Sequence, residues 1–503
     1  MARLRHLVVV VPGIGGSVLH TPRGAARWSE RKRALVAAGT RPHRLGLDET
    51  PELVPVDLLP DVTVLGATVL PGYQRLVQRI TARFDDVRVD VARPGRTPDL
   101  RADLLLFPYD FRQSVQHAAG RLGAEIAARL GGELPGTRRR RVIVVAHSMG
   151  GLVARYWLGP GGGAPDCAAL ITLGTPHRGA PKALDVLVNG VRVGPKRLTG
   201  LTGVLRGWPS VYELLPRYPA IGPGDGQSPL YPHQLAHDPG LADPGLADPG
   251  FVPPGFAARA RAAYDLHRDI ETAWDELAGS PQRPLLTAVF SRGHATPQQA
   301  LRTAAGIEVG KTPAPWLPNP DWHGDGTVPA VSAIPIELDA DLNARRPTVE
   351  RHVPLAATPL VLDLLAEHAG EPLHAVRGDA PDRPWLGLDL DDTAPAGRPV
   401  PLGVTLHGAD ADERTRVSVR LRPAGGSVTP WREAARSTGG ASWHTELGPL
   451  PAGTYRVEVA ATEVPVTGRL TTGDVLGILD TDALEADALE DETLAPGTLE
   501  VEA

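Results

Sequence analysis

The sequence predicts an α/β fold built on a doubly wound, mainly parallel sheet, followed by a smaller C-terminal domain of β-sandwich type. Short β-branched runs alternate with segments of helical period as far as about residue 370, the pattern of strands joined by crossover helices. From Pro381 the texture changes to short alternating segments separated by turn signals such as Pro451-Ala452-Gly453. A chain of 503 residues also exceeds the usual size of one domain, so a large first unit and a smaller second one accommodate it.

Taken in order, Leu7 to Val11 reads as a buried strand, and Tyr73, Leu76, Val77, Ile80 and Phe84 fall on one helical face. Val87 to Val91 and Leu104 to Phe107 return to extended patterning, and a helix is predicted from Val115 to Leu130. The strand Val142 to Ala146 leads into a helix with the apolar face Met149, Leu152, Val153, Tyr156 and Trp157, which Gly159 to Gly163 ends. Ala168 to Leu173 and Leu285 to Phe290 complete the central strands, and Pro359 to His368, capped by Thr358, closes the first domain near residue 378. Residues 17–60 read as a lid loop. Between 185 and 284, Pro and Gly break the periodicity, including a repeat at Asp238, Asp243 and Asp248, and this stretch reads as a partly helical cap insertion. Within 381–479, Val404 to Leu406, Val417 to Leu421 and Tyr455 to Val459 are the accessory strands.

Composition excludes several classes. A hydrophobic content of 42% with 56 Gly and 51 Pro describes a globular, loop-rich chain. The net charge of −6 is concentrated in the last stretch, Asp480 to Ala503, which carries nine acidic and no basic side chains and is predicted to be disordered. The remainder holds 52 basic against 49 acidic side chains, which offers nucleic acid no electrostatic footprint. Arg138 to Arg141, the densest basic run, reads as a solvated turn before a strand. The one cysteine, Cys167, reads as a small core residue, and the apolar run at Leu7 is too short for a signal peptide or a membrane span. A cytoplasmic location is the expectation.

Ala146-His147-Ser148-Met149-Gly150 lies between a strand and a helix, the setting of a nucleophile elbow and hence of an α/β-hydrolase fold. Small residues at 146 and 150 let so tight a turn clear its neighbours, and the helix start aims free N–H groups at charge developing beside Ser148. A Ser at a helix start is also a common N-cap, but the strand, the small flanks and the amphipathic helix together favour a nucleophile. A Ser hydroxyl needs a His base, and the base a carboxylate, in the chain order Ser, acid, His. Asp325, in a glycine-rich loop, and His352, 27 positions later, satisfy that order. Asp321 is the reserve acid; His323 and His177 precede Asp325 in the chain. Pro12-Gly-Ile-Gly-Gly-Ser17 leaves an early strand with little side-chain bulk, so the N–H groups of Ile14 and Met149 are candidates for an oxyanion hole. That loop lacks the Lys-Ser/Thr ending of a phosphate loop and the glycine spacing of a dinucleotide fold, so no nucleotide, metal or other cofactor is called for.

Five stretches together resemble the lecithin:cholesterol acyltransferase family, including its bacterial members: Val11-Pro-Gly-Ile-Gly-Gly-Ser-Val-Leu19 leading to Trp28, Pro108-Tyr-Asp-Phe-Arg112, Ala146-His-Ser-Met-Gly-Gly151, Leu173-Gly-Thr-Pro-His-Arg-Gly179 and Gly324-Asp-Gly-Thr-Val-Pro329. Phe111 stands where that family more often has Trp. The resemblance implies acyl transfer from a lipid ester, often a phospholipid, to water or an alcohol acceptor, with transient contact at a membrane surface. It carries Ser148, Asp325 and His352 onto the triad and Ile14 and Met149 onto the oxyanion positions. Trp28, on a lid, and His147, beside the nucleophile, are the substrate-facing candidates, while Tyr109, Asp110 and Arg112 read as scaffold. The C-terminal domain lies outside the resemblance and is a candidate surface for a protein partner. The rival readings are an esterase or thioesterase acting on soluble substrates, and a catalytically silent fold serving as a binding module.

Overall fold

The computed structural model describes residues 2–29, 40–64, 67–70, 72–131, 140–222, 228–237, 252–253, 255–303, 306–317, 322–370, 384–424, 426–437 and 440–480. The repeat at 238–251, Asp321, Arg138, Arg139 and the acidic stretch beyond Asp480 lie outside these residues. Seven parallel strands form the central sheet: β1 (Leu7–Val11), β2 (Val89–Val91), β3 (Leu104–Leu106), β4 (Val142–His147), β5 (Cys167–Leu173), β6 (Leu285–Ser291) and β7 (Arg345–Thr348). They are ordered β7-β6-β5-β4-β1-β3-β2, and every neighbouring pair is parallel.

Strand residues alternate between two cores because successive side chains point to opposite faces. Leu7, Val9, Val11, Val142, Val144 and Ala146 pack on one face with α2 (Val115–Leu130), α3 (Met149–Leu158) and α5 (Phe256–Glu276). Val8, Val10, Ile143 and Val145 pack on the other with α1 (Gln74–Arg83) and α7 (Leu360–Ala369). Burial on both faces is why the inner strands read as unbroken apolar runs. At about 1.5–3 kcal/mol for each fully buried aliphatic side chain, this is the main source of the fold's stability. Cys167 sits in the first core, its thiol directed at the Ala169 carbonyl and pushed up to about 12 by burial.

Two sequence expectations change. Strand β7, Arg-Arg-Pro-Thr, has no apolar pattern because it is a sheet edge; among the described residues it pairs only with β6, and Pro347 sits opposite Phe290, where a missing N–H is tolerated. The stretch 185–284 is not one cap, since its last part is α5, a crossover helix returning the chain to β6 beside β5. Leu266, Ile270 and Trp274 of α5 lie within the first core, and the Trp274 indole donates to the Arg155 carbonyl at 3.2 Å. Ser17–His20, Ala26–Trp28 and Val54–Leu58, within the lid region, form a small antiparallel sheet of their own.

The C-terminal region holds two sheets around a separate core of Leu386, Leu388, Val404, Val417, Val419, Trp443, Val457 and Val459. One contains β8 (Trp385–Asp389), β9 (Val400–His407) and β11 (Ser442–Leu447); the other contains β10 (Arg416–Pro423), β12 (Gly453–Val464) and β13 (Gly468–Leu479). Among the described residues no helix is long and apolar enough to cross a membrane.

Candidate active site

Strand β4 ends in a turn so sharp that Ser148 takes φ 53°, ψ −129°, a conformation L-residues rarely adopt. Helix α3 starts at the next residue, and the Ser148 N–H donates to the Leu173 carbonyl of β5 at 2.9 Å. The crowding is severe. A Cβ on Gly150 would lie 2.4 Å from the Pro12 carbonyl oxygen, and one on Gly151 would lie 2.0 Å from the Thr175 hydroxyl, so neither position tolerates a side chain.

Three side chains meet here from loops after three different strands. Ser148 Oγ lies 3.0 Å from His352 Nε2, and His352 Nδ1 lies 2.6 Å from Asp325 Oδ2. The other carboxylate oxygen, Oδ1, accepts the N–H groups of Thr327 (2.8 Å) and Val328 (2.7 Å), which aims Oδ2 at the imidazole. Burial, the largest single influence, works to raise the Asp325 carboxyl, but the His352 ring and these hydrogen bonds outweigh it and hold it below the usual range. The His352 N–H returns a backbone bond to the Asp325 carbonyl at 3.0 Å. Gly174, at φ 56°, passes so close that a Cβ there would sit 2.9 Å from Asp325 Oδ2. The Asp325 loop is itself braced by Thr296, whose buried hydroxyl accepts the N–H groups of Gly324 and Gly326, both at 2.9 Å.

The first loop lies directly on Ser148: a Cβ on Gly13 would be 2.8 Å from Ser148 Cβ. No acceptor among the described residues takes the N–H of Ile14 or of Met149, the two groups expected to form an oxyanion hole. Tyr109 holds this loop by donating its hydroxyl to the Pro12 carbonyl (2.9 Å) and its backbone N–H to the Ser17 hydroxyl oxygen (3.0 Å). Asp110 and Arg112 form a buried two-point ion pair, with Nη2–Oδ2 at 2.7 Å, and Arg112 goes on to the Thr50 carbonyl at 2.8 Å. They act as scaffold, with no side-chain atom offered to a ligand.

His147 differs from the expectation of a substrate contact. Its Nε2–H donates to the His352 carbonyl at 3.0 Å, so Nδ1 is the acceptor for the Tyr73 hydroxyl at 2.8 Å, which in turn receives the Gly13 N–H at 2.8 Å. Every polar atom of the ring is therefore used inside the protein. Burial pushes His147 down to about 3, which keeps the ring neutral and this direction of bonding intact. The chain of bonds ties the first loop to the backbone of the base. Tyr73 was legible only as a helix-face apolar residue, because nothing local marks a hydroxyl that reaches residues 60 and 74 positions away. Trp28 donates its indole N–H to the Gly15 carbonyl (2.7 Å) and packs edge-on to Phe111, so it braces the first loop.

The competing histidines face elsewhere. His177 is buried with Nε2 3.2 Å from the Thr172 hydroxyl and is pushed well below its ordinary range by burial and then by Arg155, while His323 Nδ1 accepts the Thr296 N–H.

Sheet order, elbow and helices on both faces define an α/β-hydrolase-type protein. A family described as the PGAP1-like alpha/beta domain matches residues 133–192, which carry β4, the Ser148 turn, α3 and β5. No curated protein matches the chain.

Proposed function

We propose that this protein is a serine acyl hydrolase or O-acyltransferase of lipid esters. The observation that carries the reading is the unbroken hydrogen-bonded chain from Ser148 through His352 to buried Asp325, set on a strained turn beside two free N–H groups. In this reading His352 Nε2 takes the Ser148 hydroxyl proton as Oγ bonds to the ester carbonyl carbon. The carbonyl electron pair moves onto oxygen, to which the Ile14 and Met149 N–H groups donate hydrogen bonds. Collapse expels the alcohol, which leaves with the proton held by His352, and an acyl-Ser148 ester remains. Water or an acceptor alcohol then gives its proton to His352 and attacks the acyl carbon; the acyl–Oγ bond breaks, His352 returns the proton to Ser148 Oγ, and the acid or new ester is released. Asp325 orients the imidazole and offsets its charge throughout. The lipid class rests on the five stretches that resemble the lecithin:cholesterol acyltransferase family, of which the first, second and third converge on the Ser148 loop. Trp28 would meet an acyl chain through its ring face, since its N–H is already engaged.

A fluorophosphonate probe tests the chemistry: it should label Ser148 in the folded wild type and not in Ser148→Ala. A folded wild type that takes no label removes the catalytic reading and leaves a binding module. Phospholipid vesicles with and without an added alcohol, followed by product lipid analysis, test the substrate class. Turnover of short soluble esters alone would replace lipid esters by soluble ones.

A further inference from the structure

The residue before the base, Arg351, is buried, and the ion pairs it makes among the described residues are with carboxylates of the other domain. Its Nε lies 2.6 Å from Asp474 Oδ2 on β13, and its Nη2 lies 3.0 Å from the Leu390 carbonyl and 3.2 Å from Asp392 Oδ1 just after β8. The guanidinium also lies against the acid loop. A Cβ on Gly326, the residue after Asp325, would be 2.5 Å from Arg351 Nη1, and Gly326 has φ 93°. One side chain thus abuts the acid loop while its own backbone carries the base. A second path runs alongside: the Leu388 N–H of β8 donates to His294 Nδ1 (3.1 Å), and the His294 N–H donates to the Gly324 carbonyl (3.1 Å).

We propose that the C-terminal sandwich completes the active site: Asp392 and Asp474 clamp Arg351, and Arg351 holds the His352–Asp325 pair in line with Ser148. The inference rests on the triad reading above and makes Arg351 a positioning residue. A buried guanidinium is stable only with its countercharges in place. When they are removed it turns toward solvent, leaves the space beneath Gly326 unfilled and releases the backbone on both sides of the Asp325–His352 hydrogen bond. Misplacement of a base by about 1 Å costs on the order of 100-fold in rate.

The test uses the full chain and a p-nitrophenyl ester. Arg351→Met and Asp474→Asn should each lower kcat about 10- to 100-fold with KM within about twofold, and slow fluorophosphonate labelling of Ser148 in the same ratio. The double variant should be no slower than Arg351→Met, because both changes act along one path. Lys311→Met, which removes the pairs with Asp389 and Asp391 across the same interface, should leave kcat unchanged. Wild-type kcat in a folded Arg351→Met, additive losses in the double variant, or an equal loss in Lys311→Met would each overturn the proposal. If Arg351→Met does not fold, Asp392→Asn, at a half-exposed carboxylate, is judged by the same criteria. Ser148→Ala in the same assay separates the two readings: activity there removes the triad itself, whereas its loss alongside an unaffected Arg351→Met removes only the role of the sandwich.

Discussion

Replacing Asp325 by Asn tests the triad reading through a single proton. Asp325 Oδ1 accepts two backbone N–H groups, from Thr327 and Val328, so the amide oxygen of an Asn must take that place. Its NH2 group then occupies the Oδ2 position, 2.6 Å from His352 Nδ1. A donor there forces Nδ1 to present its lone pair and moves the ring proton to Nε2, the atom 3.0 Å from Ser148 Oγ. A protonated Nε2 cannot take the Ser148 proton. The flipped amide is no escape, since its NH2 would face two N–H donors. The expected loss in kcat is on the order of 10⁴-fold, or about 5.4 kcal/mol of transition-state stabilisation, with KM little changed. Ester hydrolysis at pH 7, with a thermal melt to verify folding, measures it. A folded Asp325→Asn within about tenfold of wild-type kcat would refute the argument.

Three further outcomes follow from the same geometry. Ser148→Gly and Ser148→Ala both lose the hydroxyl, but only Gly relieves the φ of 53°, so the Gly variant should be the more stable by about 1 kcal/mol in urea melts. Tyr73→Phe leaves the buried Gly13 N–H and His147 Nδ1 without partners; it should cost about 2 kcal/mol and slow turnover, and an unchanged melt would show that the bonds are dispensable. Because the Asp325 carboxyl is held below its unfolded value, the folded state binds fewer protons there, and its stabilising contribution is complete above about pH 3.9 and lost as pH falls below it. Wild-type Tm should therefore fall more steeply than that of Asp325→Asn below that pH.

Much of the frame was legible locally. Five of the seven sheet strands announced themselves as apolar runs because burial on both faces demands it; the edge strand β2 showed only as the alternation Val87 to Val91, and β7, at the other edge, did not show at all, since an edge strand can carry Arg and Pro. Phe256–Glu276 has a plain helical period, but nothing in it distinguishes a crossover helix from a cap; its packing against the sheet decides that. His147 is the instructive miss. Its neighbour Ser148 made a substrate contact reasonable, and only the approach of Tyr73 and the His352 carbonyl reveals that both ring nitrogens are occupied.

The sequence by itself determined the strand–turn–helix around Ser148 and the small residues that turn requires, because each depends on neighbours a few positions away, and its chain order put Asp325 and His352 forward as partners. The tertiary structure alone decided the 2.6 Å and 3.0 Å contacts that join them, the bonding from Gly13 through Tyr73 and His147 to the base, and the grip of Asp392 and Asp474 on Arg351. Ser148 and His352 stand 204 residues apart, and Arg351 and Asp474 belong to different domains. No local pattern encodes such distances, because sheet register and the docking of one core against another set them.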